Sequence, residues 1–124
     1  MNHKQVEEYV LSMPNAWLDY PFGEGVAVYK AGHDGTGEPG QGKMFALIPE
    51  GKNPVRISLK CDPQLAKLLR EKYESIMEGY HIKKKHWNTM ILSGQLDDDE
   101  VKALIRHSYQ LVAGVSAELP DVEV

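Results

Sequence analysis

Cysteine is almost missing from this 124-residue chain, with Cys61 its single example. One thiol excludes an internal disulfide framework and any zinc site built from several cysteines. It suits a reducing compartment. Long apolar runs are missing too. The opening MNHKQVEEYV has no stretch like the core of a secretory signal, and no segment has the length needed to cross a bilayer. The expectation is a cytoplasmic protein with no membrane partner. Positive charge is in deficit: 14 Lys and Arg stand against 18 Asp and Glu, a net charge of −4. Phosphate neutralisation drives nucleic-acid affinity, so dedicated binders tend to be basic overall or along one face. Any such binding here has to be local and weak. The remaining composition, 42% hydrophobic and 26% charged, is that of an ordinary globular protein. The length fits one domain, 1–124, able to bury a core without staples.

Catalytic signatures are equally scarce. The glycine-rich segment 31–42 is followed by no GKS or GKT, and neither it nor Gly23 and Gly25 forms a dinucleotide fingerprint. His3, His33, His81, His86 and His107 show no HExxH or HxH spacing and no CxxC beside them, so no metal site is expected. The run Asp97-Asp98-Asp99-Glu100 has the oxygen ligands of a hard-cation site. It also sits at a predicted helix start, where the helix dipole and free N–H groups account for all four acids. Cys61 lies between a strand and a helix N-terminus, a place that favours a thiolate. The plainer reading is a small apolar residue. No residue pattern here calls for an enzyme or a cofactor.

The chain alternates helical and extended patterns. Val6, Tyr9, Val10 and Met13 form an apolar stripe that predicts a helix from Asn2 to Met13, opened by an Asn2–Gln5 capping box and stopped by Pro14. A short strand at Trp17 follows, then strands at Val26 to Lys30 and Lys43 to Ile48. Their connection, 31–42, holds five glycines and a proline and is expected to be a flexible hairpin tip. In VRISLK, Val55, Ile57 and Leu59 alternate with Arg56, Ser58 and Lys60, which predicts a buried face and a wet one. That spacing places Arg56 and Lys60 on one face, roughly 13 Å apart. Asp62 as N-cap and Pro63 at the first helical position open a second helix with a Leu65, Leu68, Leu69 and Tyr73 stripe. An irregular stretch leads to a strand from Trp87 to Gly94. A last helix runs from about Asp98 to Val112, with Val101, Leu104, Ile105, Ser108 and Val112 inward. Residues 114–124 read as a frayed tail. Hairpin-linked strands between helices predict an α+β fold with an antiparallel sheet and helices packed on it.

The stretch KKKHWN, Lys83 to Asn88, concentrates the positive charge. With Arg56, Lys60 and the turn residue Lys52 it is a candidate groove for phosphates. Trp87 is then a candidate for stacking on an unpaired base and Asn88 for a base edge. The competing reading is a solvated charge run beside a core Trp. Strand alternation sends Trp87 with Thr89 and Ile91 to one face and Asn88 with Met90 and Leu92 to the other, so the two cannot meet one ligand.

In this order, DYPFGEGVAVYK (19–30), KMFALI (43–48), ISLKCDP (57–63), KKHWNT (84–89) and SYQLV (108–112) resemble the MmcQ/YjbR family of small bacterial proteins. The resemblance covers about 4–113. It implies a fold similar to the frataxin/CyaY one, and the family's usual label is DNA-binding through a "double wing" of hairpins. Residue by residue it points to Lys84, Lys85, His86, Trp87, Asn88 and Lys60. The site expected is therefore Arg56, Lys60, Lys83, Lys84, Lys85, His86 and Asn88, acting on DNA as a monomer. The alternative is a regulatory module that binds a protein or a small molecule. The family's short turn between the VYK and KMF strands is replaced here by the long 31–42 tip, with Asp34 and Glu38 and no Lys or Arg. Either that tip swings aside or it is no DNA-contacting wing. A frataxin-like fold also suggests iron on an acidic first helix, but Glu7 and Glu8 beside Lys4 do not carry iron over.

Overall fold

Three helices cover one face of a six-stranded antiparallel sheet in the computed structural model, which describes residues 1–31, 42–79 and 82–113. Residues 32–41, with Asp34, Glu38 and His33, lie outside the described residues, as do His81 and the tail 114–124.

Helix α1 (His3–Leu11) begins as its sequence requires. The Asn2 side chain accepts from the Gln5 N–H at 2.9 Å, and the Gln5 side chain accepts from the Asn2 N–H at 3.0 Å. It ends at Leu11 with Ser12 as cap, sooner than Pro14 demands. Strands β1 (Trp17–Asp19), β2 (Val26–Ala31), β3 (Lys43–Pro49) and β4 (Arg56–Lys60) follow. Helix α2 (Pro63–Lys72) then starts at Asp62, whose carboxylate accepts from the Gln64 and Leu65 amides, both at 3.1 Å. Strand β5 (Ile76–Glu78) falls in the stretch expected to be irregular. Strand β6 (Trp87–Ile91) and helix α3 (Asp98–Ala113) complete the chain. The sheet order is β1-β2-β3-β4-β6-β5.

The two faces of the sheet carry different cores. Under the helices lie Ala27, Tyr29, Ile48, Ile57, Leu59 and Met90, packed on Val6 and Val10 of α1, Leu69 of α2 and Leu104 and Ile105 of α3. The α2 stripe is narrower than expected: Ala66 and Leu69 are buried, whereas Leu68 is 46% exposed. The helix lies over β5 and β6 at the end of the strand order, where one narrow face suffices. On the far face Val28, Leu47 and Trp87 form a second cluster with Val26, Met44 and Ile82 around it. Ser58 was expected on a wet face and is buried there instead, its hydroxyl 2.8 Å from that of Thr89 across the β4–β6 pair. The hydroxyl pair satisfies itself, which lets polar atoms sit among apolar ones.

The acid run is consumed by α3. Asp97 Oδ1 accepts from the Glu100 N–H at 2.8 Å, and Glu100 Oε2 accepts from the Tyr73 hydroxyl at 2.8 Å. Among the described residues no group of three His, Cys, Asp or Glu is arranged to hold a metal ion. No helix there is long and apolar enough to cross a membrane.

Candidate nucleic-acid interface

Three successive amides where β4 runs into α2 each find a partner distant in the sequence. Lys60 N–H donates to Ser108 Oγ at 2.9 Å, Cys61 N–H to the His86 carbonyl at 2.8 Å, and Asp62 N–H to His107 Nε2 at 3.1 Å. Ser108 Oγ in turn donates to the Phe45 carbonyl at 2.5 Å. The side chains of α3 thereby fix the junction, and the junction holds His86 at the head of β6. Four distant sequence segments meet at this one place.

The approach to β6 is equally constrained. Gly79 N–H donates to the Trp87 carbonyl at 3.0 Å. A Cβ at Gly79 would lie 2.7 Å from Ile82 Cγ1 and 2.8 Å from Trp87 Cβ, so only glycine allows this close passage. A turn closed by His86 N–H donating to the Lys83 carbonyl at 3.1 Å then presents Lys83, Lys84 and Lys85, all exposed.

Trp87 and Asn88 belong to the interior. Trp87 is 6% exposed and packs into the far-face cluster, which removes it as a stacking platform. Asn88, also 6% exposed, faces α2: its Oδ1 accepts from Arg70 Nη1 at 2.7 Å and its Nδ2 donates to the Ala66 carbonyl at 3.2 Å. An amide engaged at both atoms inside the protein is not available to read a base. Alternation put Trp87 and Asn88 on opposite faces, as the structure has them.

The expected cations do not all converge. Lys60 pairs across the sheet with Trp87, beside the Lys83–His86 turn, whereas Arg56 pairs with Ile91 at the opposite end of the strand. Arg56 is exposed there and separate from the lysines. Sequence reasoning left out Lys30 and Lys43, which the β2–β3 register brings to the same end as Lys60. Their position beside the 31–42 connection was the available signal. Lys30 is engaged by Asp19 at 2.9 Å and lies 5.2 Å from the centre of the Trp17 ring. Lys84 lies 3.8 Å from Glu78, an exposed pair of little energetic consequence. Among the described residues no carboxylate comes within ion-pair distance of Lys43, Lys60, Lys83 or Lys85. The end of the sheet where Val26 pairs with Pro49 carries Glu24 and Glu50, and Glu50 meets His3 at 3.7 Å.

Cys61 is 4% exposed, and burial first, then the neighbouring Asp62 charge, pushes its thiol up to about 12. It is a core residue, and its burial disfavours the thiolate. His107, 1% exposed, is held below the usual imidazole value by burial, which the Asp62 charge partly opposes. The consequence for stability has a definite sign. Below the ordinary value near 6.5 the unfolded chain takes up a proton that folded His107 refuses, so stability falls as pH drops into that window. Above it, neither state is protonated and the contribution vanishes. Urea denaturation at pH 7.5 and pH 5.5 should show a smaller acid loss in His107→Gln than in the wild type. Equal losses would place the acid sensitivity elsewhere.

Comparison with known proteins agrees with this architecture. The YjbR family profile matches residues 11–111. YjbR of Escherichia coli is 36% identical over 75 residues, which are 60% of this chain and 64% of that protein, so the match spans less than two thirds of that relative. YbdF, also from Escherichia coli, is 34% identical over 110 residues, 89% of this chain and 83% of that one. Among solved structures, a Deinococcus radiodurans protein with a DUF419 domain superposes with a TM-score of 0.82 at 30% identity, over 94% of this chain and 82% of that one. A Pseudomonas syringae protein gives 0.72 at 31% identity, over 90% and 99%. With a profile spanning most of its length and relatives about a third identical over the aligned residues, the chain belongs to the YjbR family.

Proposed function

We propose that this protein is a non-catalytic binding module that holds DNA through its phosphates at the lysine end of the sheet. Lys60, Lys83, Lys84, Lys85 and His86 make the contacts, with Lys43 at the margin. The carrying observation is that Lys60, Lys83 and Lys85 gather at one end without a carboxylate partner among the described residues, in a chain of net charge −4. Phosphate contacts position a protein on nucleic acid, and base contacts specify a sequence. Trp87 and Asn88, the candidates for stacking on a base and reading its edge, are both buried, which favours sequence-independent binding through phosphates. Arg56 and Asn88 drop out of the site. The protein acts as a monomer in the cytoplasm, where its one thiol stays reduced.

Fluorescence anisotropy with duplex and single-stranded DNA across a salt series tests this. A few neutralised phosphates give a log–log slope of roughly −2 to −4. Changing Lys83, Lys84 and Lys85 together to Glu should abolish binding, while Arg56→Gln should leave it close to wild type. Affinity unchanged in the triple variant removes the proposal.

A further inference from the structure

Between α2, α3 and the β4–β6 pair lies a cavity of about 20 Å³, lined by Cys61, Asn88, His107, Leu69, Met90 and Leu104 among others. Its lining is mainly aliphatic, and one polar group there is orphaned. His107 Nδ1 is buried and has no hydrogen-bond partner among the described residues. The other ring nitrogen, Nε2, accepts from the Asp62 N–H. A neutral imidazole that accepts at Nε2 carries its proton at Nδ1. His107, which lines the cavity, therefore carries a buried donor with no acceptor among the described residues. Such orphans are rare in folded proteins, and leaving one unmet costs about 1–3 kcal/mol.

We propose that this cavity is a binding site for one small uncharged hydrogen-bonding guest, a water molecule, held by the Nδ1–H of His107. The volume is sufficient, since a single water needs roughly 10–15 Å³ measured in this way. The guest accepts from His107 Nδ1–H. For its own hydrogens the lining residues Cys61 and Asn88 supply a sulfur and an amide oxygen, the latter with one lone pair already directed to Arg70. That meets the two to four polar partners an internal water needs. A cation is disfavoured by Lys60 in the lining and by the mainly aliphatic wall. In this reading the α3 histidine joins the β4–α2 junction on one side and a bound water on the other.

Two NMR measurements on the isotopically labelled full chain decide it. Long-range nitrogen–proton correlation of the imidazole should show Nδ1 protonated and Nε2 bare. Cross-relaxation at the water frequency should reach the His107 Hδ1 and the Met90 methyl, with the sign of a water resident longer than hydration water. Cys61→Val adds about one methyl group to the wall and should erase these cross-peaks while the Asp62 amide stays protected. A proton on Nε2 in the wild type would overturn the site. So would wild-type spectra without water cross-peaks, or cross-peaks that survive in Cys61→Val. The tautomer and the wild-type cross-peaks need no variant, so a failure of Cys61→Val to fold leaves the test intact.

Discussion

Replacing Ser108 with alanine should destabilise the protein by about 2–4 kcal/mol, because one hydroxyl serves two buried backbone groups at once. Ser108 is fully buried, donates to the Phe45 carbonyl and accepts from the Lys60 amide. The β3–β4 ladder pairs Ala46 with Leu59, and the β2–β3 register shifts beside it, between Tyr29 and Lys30. Here the hydroxyl of α3 stands between the two strands in place of a direct backbone bond. Without it, a carbonyl and an N–H lose their partners together, each at a cost of about 1–3 kcal/mol. Urea unfolding should show a lower midpoint with an unchanged slope, the signature of lost stability without a change in the surface exposed. A loss below about 0.5 kcal/mol would mean that β3 and β4 close directly once the oxygen is gone.

Asn88→Ala should cost a comparable amount, about 2–3 kcal/mol, and leave DNA affinity unchanged at temperatures where the variant is folded. The lost amide removes the acceptor of the part-buried Arg70 guanidinium and the second, side-chain donor of the Ala66 carbonyl, and hydrogen bonds to charged groups are worth more than neutral ones. A double-mutant cycle with Arg70→Ala isolates the pair. Its coupling should be about 1–2 kcal/mol, since the two side chains are in direct contact. The opposite pattern, intact stability with weakened DNA binding, would return Asn88 to the ligand and contradict its burial.

Much of the fold could be read from local chemistry. The Asn2–Gln5 box, the Asp62–Pro63 start and the acids before α3 each announce a helix by satisfying its free amides, and each is found where the residues put it. Strand β5 was hidden because Ile76–Glu78 is three residues long and has no alternation to display. Its pairing with β6 creates it. The wet face expected of Ser58 failed for a different reason. Alternation tells which residues share a face, and it is silent on whether that face is covered by Trp87, Val28 and Leu47 from other strands.

The candidate site was legible only in part. The lysines of KKKH were visible as charge, yet their union with Lys60 and their separation from Arg56 depend on the β4–β6 register, which no local pattern encodes. Ser108 was placed among the inward positions of α3, and a lone hydroxyl on an apolar stripe was the clue that it serves the backbone. His107 offered no such clue. Its burial comes with its place on α3 against the β4–α2 junction, where it meets the Asp62 amide. The Asn88 amide gave away its face and nothing about the Arg70 that engages it.

With an isoelectric point near 5.7, the molecule as a whole is repelled by any negatively charged surface at neutral pH. Yet Lys60 and Lys83 to Lys85 collect where β4 meets α2, whereas at the far end of the strands Glu24 and Glu50 offset Arg56 and Lys52. Such a separation behaves as a molecular dipole, and a dipole in a field experiences torque before it experiences contact. On the proposed function, a polyanion within a Debye length, about 10 Å at 0.1 M salt, would turn the protein end-on. The angle of encounter is selected by a few side chains, while the sign of the total charge sets only how seldom the encounter occurs.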